Sequence, residues 1–368
     1  MAITIDVDTA RPYQVHVGTF LLEEAGALVR SAAGGERAVI VTDTNVGPLY
    51  QTPVKQSLEK AGYTVDICTF EAGEAHKRAE TYVGILEFVA EHELTRSDVI
   101  VALGGGVVGD VAGFVAATYM RGCQFVQIPT SLLAMVDSSV GGKTAIDLAA
   151  GKNLAGAFWQ PRVVIADVGC LATLSAEQFA DGCGEVIKHA VIADPELFEE
   201  LEKTPLTLEL LMSDVARVAL IIARNIDIKR AVVVADERES NQRKLLNFGH
   251  SAGHAVEACE HFELGHGNCV SIGMGIIARS AALRGICPAE LPQRIEELCR
   301  RHGLKTRCDL AADDIFAEAL HDKKRRGDTI DLVIPHDLGR CSIDTTPLST
   351  FRDIIAEGLG EKGDHAAC

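Results

Sequence analysis

The chain has few basic residues for its acidic content: 35 Lys and Arg stand against 52 Asp and Glu in 368 residues, a formal net charge of −17. Nucleic-acid backbones and anionic membranes are bound chiefly through Lys and Arg, so this deficit argues against both as partners. A small anionic substrate is compatible with the charge if the basic residues are concentrated in one pocket. We therefore expect a small-molecule ligand, and no nucleic-acid or membrane partner.

Paired cysteine motifs and long apolar runs are also missing. The 11 cysteines are scattered and no two have the CxxC spacing, which argues against a disulfide framework and against a cysteine zinc ribbon. No apolar run approaches the roughly 18 residues needed to span a bilayer, and residues 1–6 contain no basic segment leading into an apolar stretch. We expect a cytoplasmic protein with reduced thiols.

The length predicts two domains, and 47% hydrophobic residues are enough for buried cores. In the first part of the chain, short β-branched runs alternate with helical stretches, which predicts βαβ units and a parallel sheet. The predicted strands are 37–41, 64–70, 98–103 and 162–166, and the predicted helices are 46–61, 79–93 and 107–119.

From about residue 174 the pattern changes to long amphipathic segments, such as 214–229 and 291–302, with few strand signals. We predict an α/β N-terminal nucleotide-binding lobe with a parallel sheet over residues 1–173. An all-α C-terminal domain that binds metal and substrate is predicted over 174–368. Residues 149–156 are expected to form a flexible loop.

A glycine-rich turn at residues 104–110 matches GxGxxG, follows a predicted strand and opens a predicted helix. Such a turn lets backbone approach a pyrophosphate, although a tight packing turn has the same pattern. The acidic ribose ligand expected about 20 residues later is missing from 124–128, so the standard dinucleotide fold is not indicated. Other candidate contacts at strand ends are 43–45 and 73–77, for which helix caps and solvated loops are the alternative.

Histidines and a carboxylate form a second pattern. His250 and His254 are four residues apart and share a helical face, His266 lies in a Gly-His-Gly turn, and Glu185 lies upstream. Imidazoles with one carboxylate are the ligand set of a catalytic zinc with an open position. A single histidine is more often a core or capping residue, but the flanking glycines would let helices pack closely around a shared partner.

Basic and amide side chains form the third pattern. Residues 137–144 resemble the end of a phosphate-binding loop but lack its first glycine, which argues against ATP chemistry. Each basic residue alone is more often a surface side chain, whereas several converging would bind a dianion. Those lying in apolar or glycine-rich sequence, with one neighbouring amide, are Lys143, Lys152, Asn153, Lys188, Lys229, Arg243 and Lys324.

Together these segments resemble the 3-dehydroquinate synthase family along almost the whole chain. The motifs that carry the resemblance are 104–110, 129–143, 151–153, 185–188 and 246–250, with His254 and His266. Ser131, where many relatives have threonine, and 182–184, where relatives are bulkier, depart from the pattern without removing a functional group. The resemblance implies a nucleotide lobe, a helical lobe, an active site in the cleft between them, and a homodimer.

The resemblance also assigns residues to roles. Zinc ligands would be Glu185, His250 and His266, and catalytic residues would be Asp137, Lys143, Glu185, Lys188, Lys229 and His254. Substrate contacts would be Arg121, Asn153, Arg243, Asn247 and Lys324, with Lys323 an alternative to Lys324. NAD contacts would be Asp43, Asn45, Gly73, Glu74, Lys77, Gly105, Gly106, Val107, Val108, Gly109, Asp110, Thr130, Ser131, Lys143, Lys152, Cys170, Leu171, Ala172 and Thr173.

The family reaction converts 3-deoxy-D-arabino-heptulosonate 7-phosphate to 3-dehydroquinate and phosphate in the shikimate pathway of aromatic amino acid biosynthesis. Transient oxidation by NAD, phosphate elimination, reduction, ring opening and aldol closure are implied, with zinc as the Lewis acid and cobalt as a substitute. Three alternatives share parts of this inventory: a metal-dependent polyol or glycerol dehydrogenase, a sister cyclase making an inosose or valiolone-type product, and a non-catalytic NAD-binding module.

Overall fold

A computed structural model describes residues 2–320 and 325–361, which form two compact units. The first unit comprises Met1–Leu174 and Leu211–Glu237, and the second comprises Ser175–Leu210 and Arg238–Cys368. The division into domains 1–173 and 174–368 stays a prediction, and it differs from these compact units in the segment Leu211–Glu237. That segment contains a helix packed on the first two strands of the first unit, which is why it groups with them.

The first unit is built on a seven-stranded sheet with the order β1-β2-β9-β6-β5-β3-β4. Its strands are β1 Ile3–Val7, β2 Tyr13–Gly18, β3 Arg37–Asp43, β4 Thr64–Phe70, β5 Val99–Gly104, β6 Gln124–Pro129 and β9 Val163–Asp167. Its helices are α1 Leu21–Ala32, α2 Gly47–Lys60, α3 Ala79–Glu91, α4 Gly106–Thr118 and α8 Val215–Ala235. All neighbouring strands are parallel except the β1–β2 hairpin, so the predicted parallel sheet is confirmed.

The parallel strands form the sheet because their side chains are apolar and buried on both faces. Val39, Ile40 and Val41 of β3 and Ile100 and Val101 of β5 are fully buried. Continuous β-branched runs of this kind are typical of strands covered by helices on both sides. The four strands and three helices predicted in this part of the chain all exist, with ends that differ by one or two residues.

The prediction of a flexible loop at 149–156 is wrong. β7 Lys143–Leu148 and β8 Gly151–Phe158 form an antiparallel hairpin there, with Lys143 opposite Phe158. Strand β8 was not predicted because it contains two glycines, which have low strand propensity. Small residues are nevertheless required: a side chain at Gly156 would begin 2.1 Å from the carbonyl oxygen of Thr144.

The second unit is mainly helical, as predicted, and it also contains a three-stranded antiparallel sheet that the prediction of an all-α domain did not include. A short helix, α7 Leu208–Ser213, spans the boundary at residue 210. The other helices are α5 Ala176–Ala193, α6 Pro195–Lys203, α9 His250–Cys259, α10 His266–Leu283, α11 Leu291–Arg301, α12 Ala312–Ala319 and α13 Leu348–Leu359. The strands are β10 Arg325–Arg326, β11 Thr329–Asp337 and β12 Arg340–Pro347.

Two other expectations concern the described residues. None of their helices combines the length and apolar character needed to cross a membrane. The ten cysteines among them are free thiols, which agrees with the expectation of reduced cysteines.

His302, at the end of α11, is a buried residue that ties α11 to the segment before α7. Its Nδ1 lies 2.7 Å from the Leu298 carbonyl oxygen and its Nε2 lies 3.0 Å from the Leu206 amide nitrogen. Only a neutral ring can donate at Nδ1 and accept at Nε2. Burial lowers the pKa of His302, in agreement with a neutral ring.

We expect His302→Ala to lower the free energy of unfolding by about 1–3 kcal/mol near pH 8, because the buried Leu206 amide loses its acceptor. Since the folded pKa lies below the unfolded value, the wild type itself loses stability as the pH falls below about 6.5. The difference between the variant and the wild type should therefore shrink near pH 5.5. Urea unfolding at both pH values measures this, and a difference that grows on acidification would contradict it.

Candidate active site

The glycine-rich turn joins β5 to α4, and its glycines serve two purposes. A Cβ at Gly104 would lie 2.5 Å from Val108, and one at Gly109 would lie 2.7 Å from Gln127 Oε1, so packing requires both glycines. At Gly105 a Cβ would meet only Ser131 Oγ, at 3.6 Å. The missing side chain at Gly105 therefore leaves the first turn of α4 open to an anionic group, as a phosphate cradle requires.

An ion-pair network lies beside this turn and joins five residues that the sequence singled out. Lys77 Nζ is 2.6 Å from Asp110 Oδ2 and 2.6 Å from Asn153 Oδ1. Glu74 Oε1 is 4.0 Å from Lys77 Nζ and 3.5 Å from Lys152 Nζ. Burial alone would lower the pKa of Lys77, but Asp110 and Glu74 outweigh it and raise that pKa. Lys77 is therefore held as a cation.

Asp147 belongs to the same network but was not predicted. Its Oδ1 accepts a hydrogen bond from the backbone N–H of Asn153 at 2.8 Å, and its own backbone N–H donates to the Lys77 carbonyl oxygen at 2.7 Å. Asn153 has a left-handed backbone, with φ 55°. Asp147 thus holds Asn153 in a conformation that costs energy for a non-glycine residue.

At the other strand ends, Asp43 has the alternative role that the sequence left open, that of a helix cap. Asp43 Oδ1 accepts from the amides of Asn45 and Val46 at 2.9 and 2.8 Å, which is a local cap before α2. Tyr50, which was not predicted, donates to the Cys170 carbonyl oxygen at 3.1 Å and lies 2.8 Å from Thr173 Oγ1. Tyr50 therefore anchors the segment Cys170–Thr173 against α2.

Asp137 and Lys229 meet within the first unit, although they are 92 positions apart in the chain. Asp137 lies in a short π-helical turn, Ala134–Ser138, a type of turn frequent at functional sites. Lys229 Nζ is 2.9 Å from Asp137 Oδ1 and also contacts the Asp137 backbone oxygen. Because Lys229 is buried on α8, this pair fixes the turn.

Two other predicted residues of the first unit are exposed. Lys143 is exposed at the start of β7, and Arg121 is exposed with a left-handed φ of 65°.

In the second unit, glycines allow three helices to approach backbone to backbone, which confirms the interpretation of the flanking glycines. A Cβ at Gly184 of α5 would lie 2.8 Å from the Cα of Gly267 in α10. A Cβ at Gly253 of α9 would lie 2.7 Å from the Cys269 carbonyl oxygen in α10. Glu185 on α5, His250 and His254 on α9, and His266 at the start of α10 are brought together by this packing.

The spacing of the ligand atoms is that of a metal site. Glu185 Oε1 is 3.3 Å from His250 Nε2 and 3.5 Å from His266 Nε2. Tetrahedral ligands with bonds of about 2.0–2.1 Å are about 3.4 Å apart. Glu185 Oε1 is buried and accepts no hydrogen bond from any described residue, so a cation is the partner its position fits. His254 is adjacent, and the three histidines offer nitrogens within 4.8 Å of one another.

Charges around Glu185 keep the ligands in different protonation states. Burial raises the pKa of Glu185, but contact with the buried Lys188 ammonium and with His250 overcomes this and holds it well below its usual range. Burial lowers the pKa of His250, which favours a neutral ring. His266 is also buried, yet Glu185 and Glu257 raise its pKa to about 10. A cation at this site would replace a proton on His266.

Two further predicted residues of the second unit, Arg243 and Asn247, lie in one segment. Arg243 belongs to the helical turn Gln242–Asn247, which packs against α5, and it is only 1% exposed. Asn247 donates to Glu239 Oε1 at 3.0 Å, and Glu239 has a left-handed φ of 56°. Glu239 was not predicted, because no local motif marks it. Lys324, with its alternative Lys323, lies outside the described residues.

An α/β unit with an open glycine turn and a helical unit with a carboxylate–histidine cluster define a nucleotide- and metal-dependent enzyme. A family model described as 3-dehydroquinate synthase N-terminal matches residues 67–181, and one described as 3-dehydroquinate synthase C-terminal matches residues 182–325. A 3-dehydroquinate synthase of Streptococcus suis (strain 05ZYH33) is 41% identical over 357 residues, which are 96% of this chain and 99% of the relative.

Two solved structures are similar over nearly their whole length. The 2-epi-5-epi-valiolone synthase of Streptomyces hygroscopicus subsp. jinggangensis 5008, with NAD+ and Zn2+ bound, has a TM-score of 0.85 and 28% identity, covering 95% of this chain and 97% of its own. A 2-deoxy-scyllo-inosose synthase complexed with carbaglucose-6-phosphate, NAD+ and Co2+ has a TM-score of 0.84 and 25% identity, covering 98% and 100%. This chain belongs to the 3-dehydroquinate synthase family.

Proposed function

We propose that the chain converts 3-deoxy-D-arabino-heptulosonate 7-phosphate to 3-dehydroquinate and phosphate. The observation that carries the proposal is the metal-type spacing of Glu185, His250 and His266, with the buried Arg243 on a turn packed against the helix of Glu185. A Lewis acid and a buried guanidinium suit a substrate that has both a hydroxyl to be oxidised and a carboxylate. The substrate class is a sugar acid phosphate.

Zinc, or cobalt in its place, would be held by Glu185, His250 and His266. NAD would be held around the Gly105–Gly109 turn by the residues that the resemblance assigns. When bound, the metal would polarise the substrate hydroxyl and NAD would accept and return one hydride. The open space at Gly105 and the buried, unbonded Glu185 Oε1 fit these two groups.

The chain's own side chains position groups and hold protons. Lys188 keeps Glu185 ionised, because its ammonium contacts the Glu185 carboxylate in a buried setting. Lys229 fixes the turn that carries Asp137, and Lys77 fixes Asn153. We assign anion contacts to Arg121, Lys143, Arg243, Asn247 and Lys324, and a proton-holding role to His254. The substrate phosphate can itself act as the base in the elimination, so few protein bases are needed.

A sister cyclase is the nearest alternative, since the two similar structures belong to cyclases with other products. The relative with the higher identity is a 3-dehydroquinate synthase, and the buried Arg243 favours a substrate with an additional anionic group. We also propose a cytoplasmic location, supported by the free thiols of the described cysteines. A homodimer is proposed from the family resemblance alone.

The decisive assay is phosphate release from the heptulosonate, measured with and without NAD and zinc. Because ring closure involves no net oxidation, we expect NAD to be reduced and reoxidised within each turnover. Phosphate should therefore be released over many turnovers while the absorbance of free NADH stays flat. NADH release in proportion to turnover would contradict the proposal and favour a polyol dehydrogenase. A chain without any phosphate release but with NAD binding would favour a non-catalytic module.

A further inference from the structure

The face of helix α9 that contacts α10 carries a carboxylate as well as two histidines. His250, His254 and Glu257 are at positions i, i+4 and i+7, so all three lie on one face. The Glu257 side chain is 8% exposed, and its Oε2 lies 3.6 Å from Nδ1 of His266 on α10. A carboxylate at this depth is costly unless it has a cationic or hydrogen-bonding partner, and His266 is one such partner.

The backbone that carries His266 is fixed from another direction. Asp181 of α5, four residues before Glu185, accepts from the Gly267 amide at 2.6 Å, at the first turn of α10. A Cβ on Gly267 would lie 1.9 Å from the Asp181 carbonyl oxygen, so the two helices touch there. With its backbone held against α5, His266 keeps mainly the rotation of its own ring as freedom.

The ring lies between two carboxylates. Its Nε2 is 3.5 Å from Glu185 Oε1, the same oxygen that lies 3.3 Å from His250 Nε2, while its Nδ1 faces Glu257. An imidazole binds a metal through one nitrogen and keeps its proton on the other. A negative charge beside Nδ1 stabilises the proton there and leaves the Nε2 lone pair directed at Glu185 and His250.

We propose that Glu257 is a positioning residue: it selects the ring orientation and the Nδ1-protonated tautomer of His266, and thereby sets the affinity of the metal site. The proposal rests on the proposed function, because it assumes that Glu185, His250 and His266 bind the metal. Glu257 acts through His266, and it is not itself assigned as a ligand.

The test is a competition between the metal-stripped chain and a chromophoric chelator for zinc, using wild type, Glu257→Gln and a control. Glu257→Gln keeps the shape and removes the charge, and we expect zinc affinity to fall by about 10- to 100-fold. The control is Glu296→Gln, which removes a buried carboxylate that also contacts α10, through Arg279. Its zinc affinity should equal that of wild type even if its stability is lower.

The visible spectrum of the cobalt-loaded chain is the second measurement, because it reports the ligand geometry and not the stability. We expect the bands of Glu257→Gln to shift while those of Glu296→Gln match wild type. Unchanged affinity and spectrum in Glu257→Gln would overturn the inference, as would equal losses in both variants. If wild type itself binds neither zinc nor cobalt, the metal assignment of the proposed function fails instead.

Discussion

His250→Ala should lower kcat/KM by about 1000-fold or more and abolish retention of zinc, because removing a ligand removes a Lewis acid that contributes about 4 kcal/mol or more. His250 Nε2 lies 3.3 Å from Glu185 Oε1 and His266 Nε2 lies 3.5 Å from the same oxygen, so the substitution leaves two of the three assigned ligands. Zinc content after gel filtration and turnover of the heptulosonate give the two results.

The matched variant is His254→Ala, one helical turn away on the same face of α9. Its ring lies 5.2 Å from that of His250 and 5.7 Å from that of His266, close enough to be a fourth metal ligand by distance alone. We expect His254→Ala to lose activity but to keep zinc, since its assigned role is to hold a proton. Loss of zinc in both variants would show that the ligand set contains three histidines.

Arg243→Lys should lower kcat/KM for the heptulosonate by roughly 30- to 5000-fold, which corresponds to losing about 2–5 kcal/mol from a buried charge-assisted contact. Lysine keeps the charge but cannot form the two parallel hydrogen bonds of a guanidinium. Because Arg243 is assigned to neither cofactor, zinc content and NAD affinity should not change.

Arg294→Lys is the control for this substitution. Arg294 is a surface guanidinium that binds Glu202 through two nitrogens, at 3.0 and 2.7 Å, so the chemical change is the same and the environment is not. Its kcat/KM should stay at the wild-type value. The substrate comparison is glucose 6-phosphate or sedoheptulose 7-phosphate, which lack the carboxylate. Faster wild-type turnover of such a sugar, with Arg243→Lys unimpaired on the heptulosonate, would identify a sister cyclase.

The parallel sheet could be predicted because its strands are short apolar runs separated by helical stretches, as in β3 and β5. Several of the strands that were not predicted have weaker signals. β1 alternates partly buried and exposed residues over only five positions, β8 contains two glycines, and only one residue of β12 is buried. β11 contains only a short apolar run, residues 332–335, and such a run does not distinguish a strand from a buried helix segment. Each of these strands pairs antiparallel with the strand next to it in the chain, and this pairing, which local sequence does not show, decides these cases.

In the site, the histidine spacing and the flanking glycines predicted the cluster of Glu185, His250, His254 and His266. The carboxylates around it were not predicted, because each acts on a residue of another element. Asp181 reaches α10 from α5, and Glu257 reaches α10 from α9. The position of Glu257, seven residues after His250 on one helical face, is the one sequence signal that could have identified it.

The glycine contact between α5 and α10 has a consequence for which ions the site accepts. Since not even a methyl group fits between Gly184 and Gly267, the helices that carry Glu185 and His266 cannot move closer, and their packing resists separation. Ligand atoms 3.3–3.5 Å apart suit ions of small radius. Calcium, with bonds of about 2.3–2.6 Å, would need about 3.8–4.2 Å at the same angles. The close contact of Gly184 with Gly267 thus adds a limit on ion size to the preference of imidazole nitrogens for ions such as zinc over calcium.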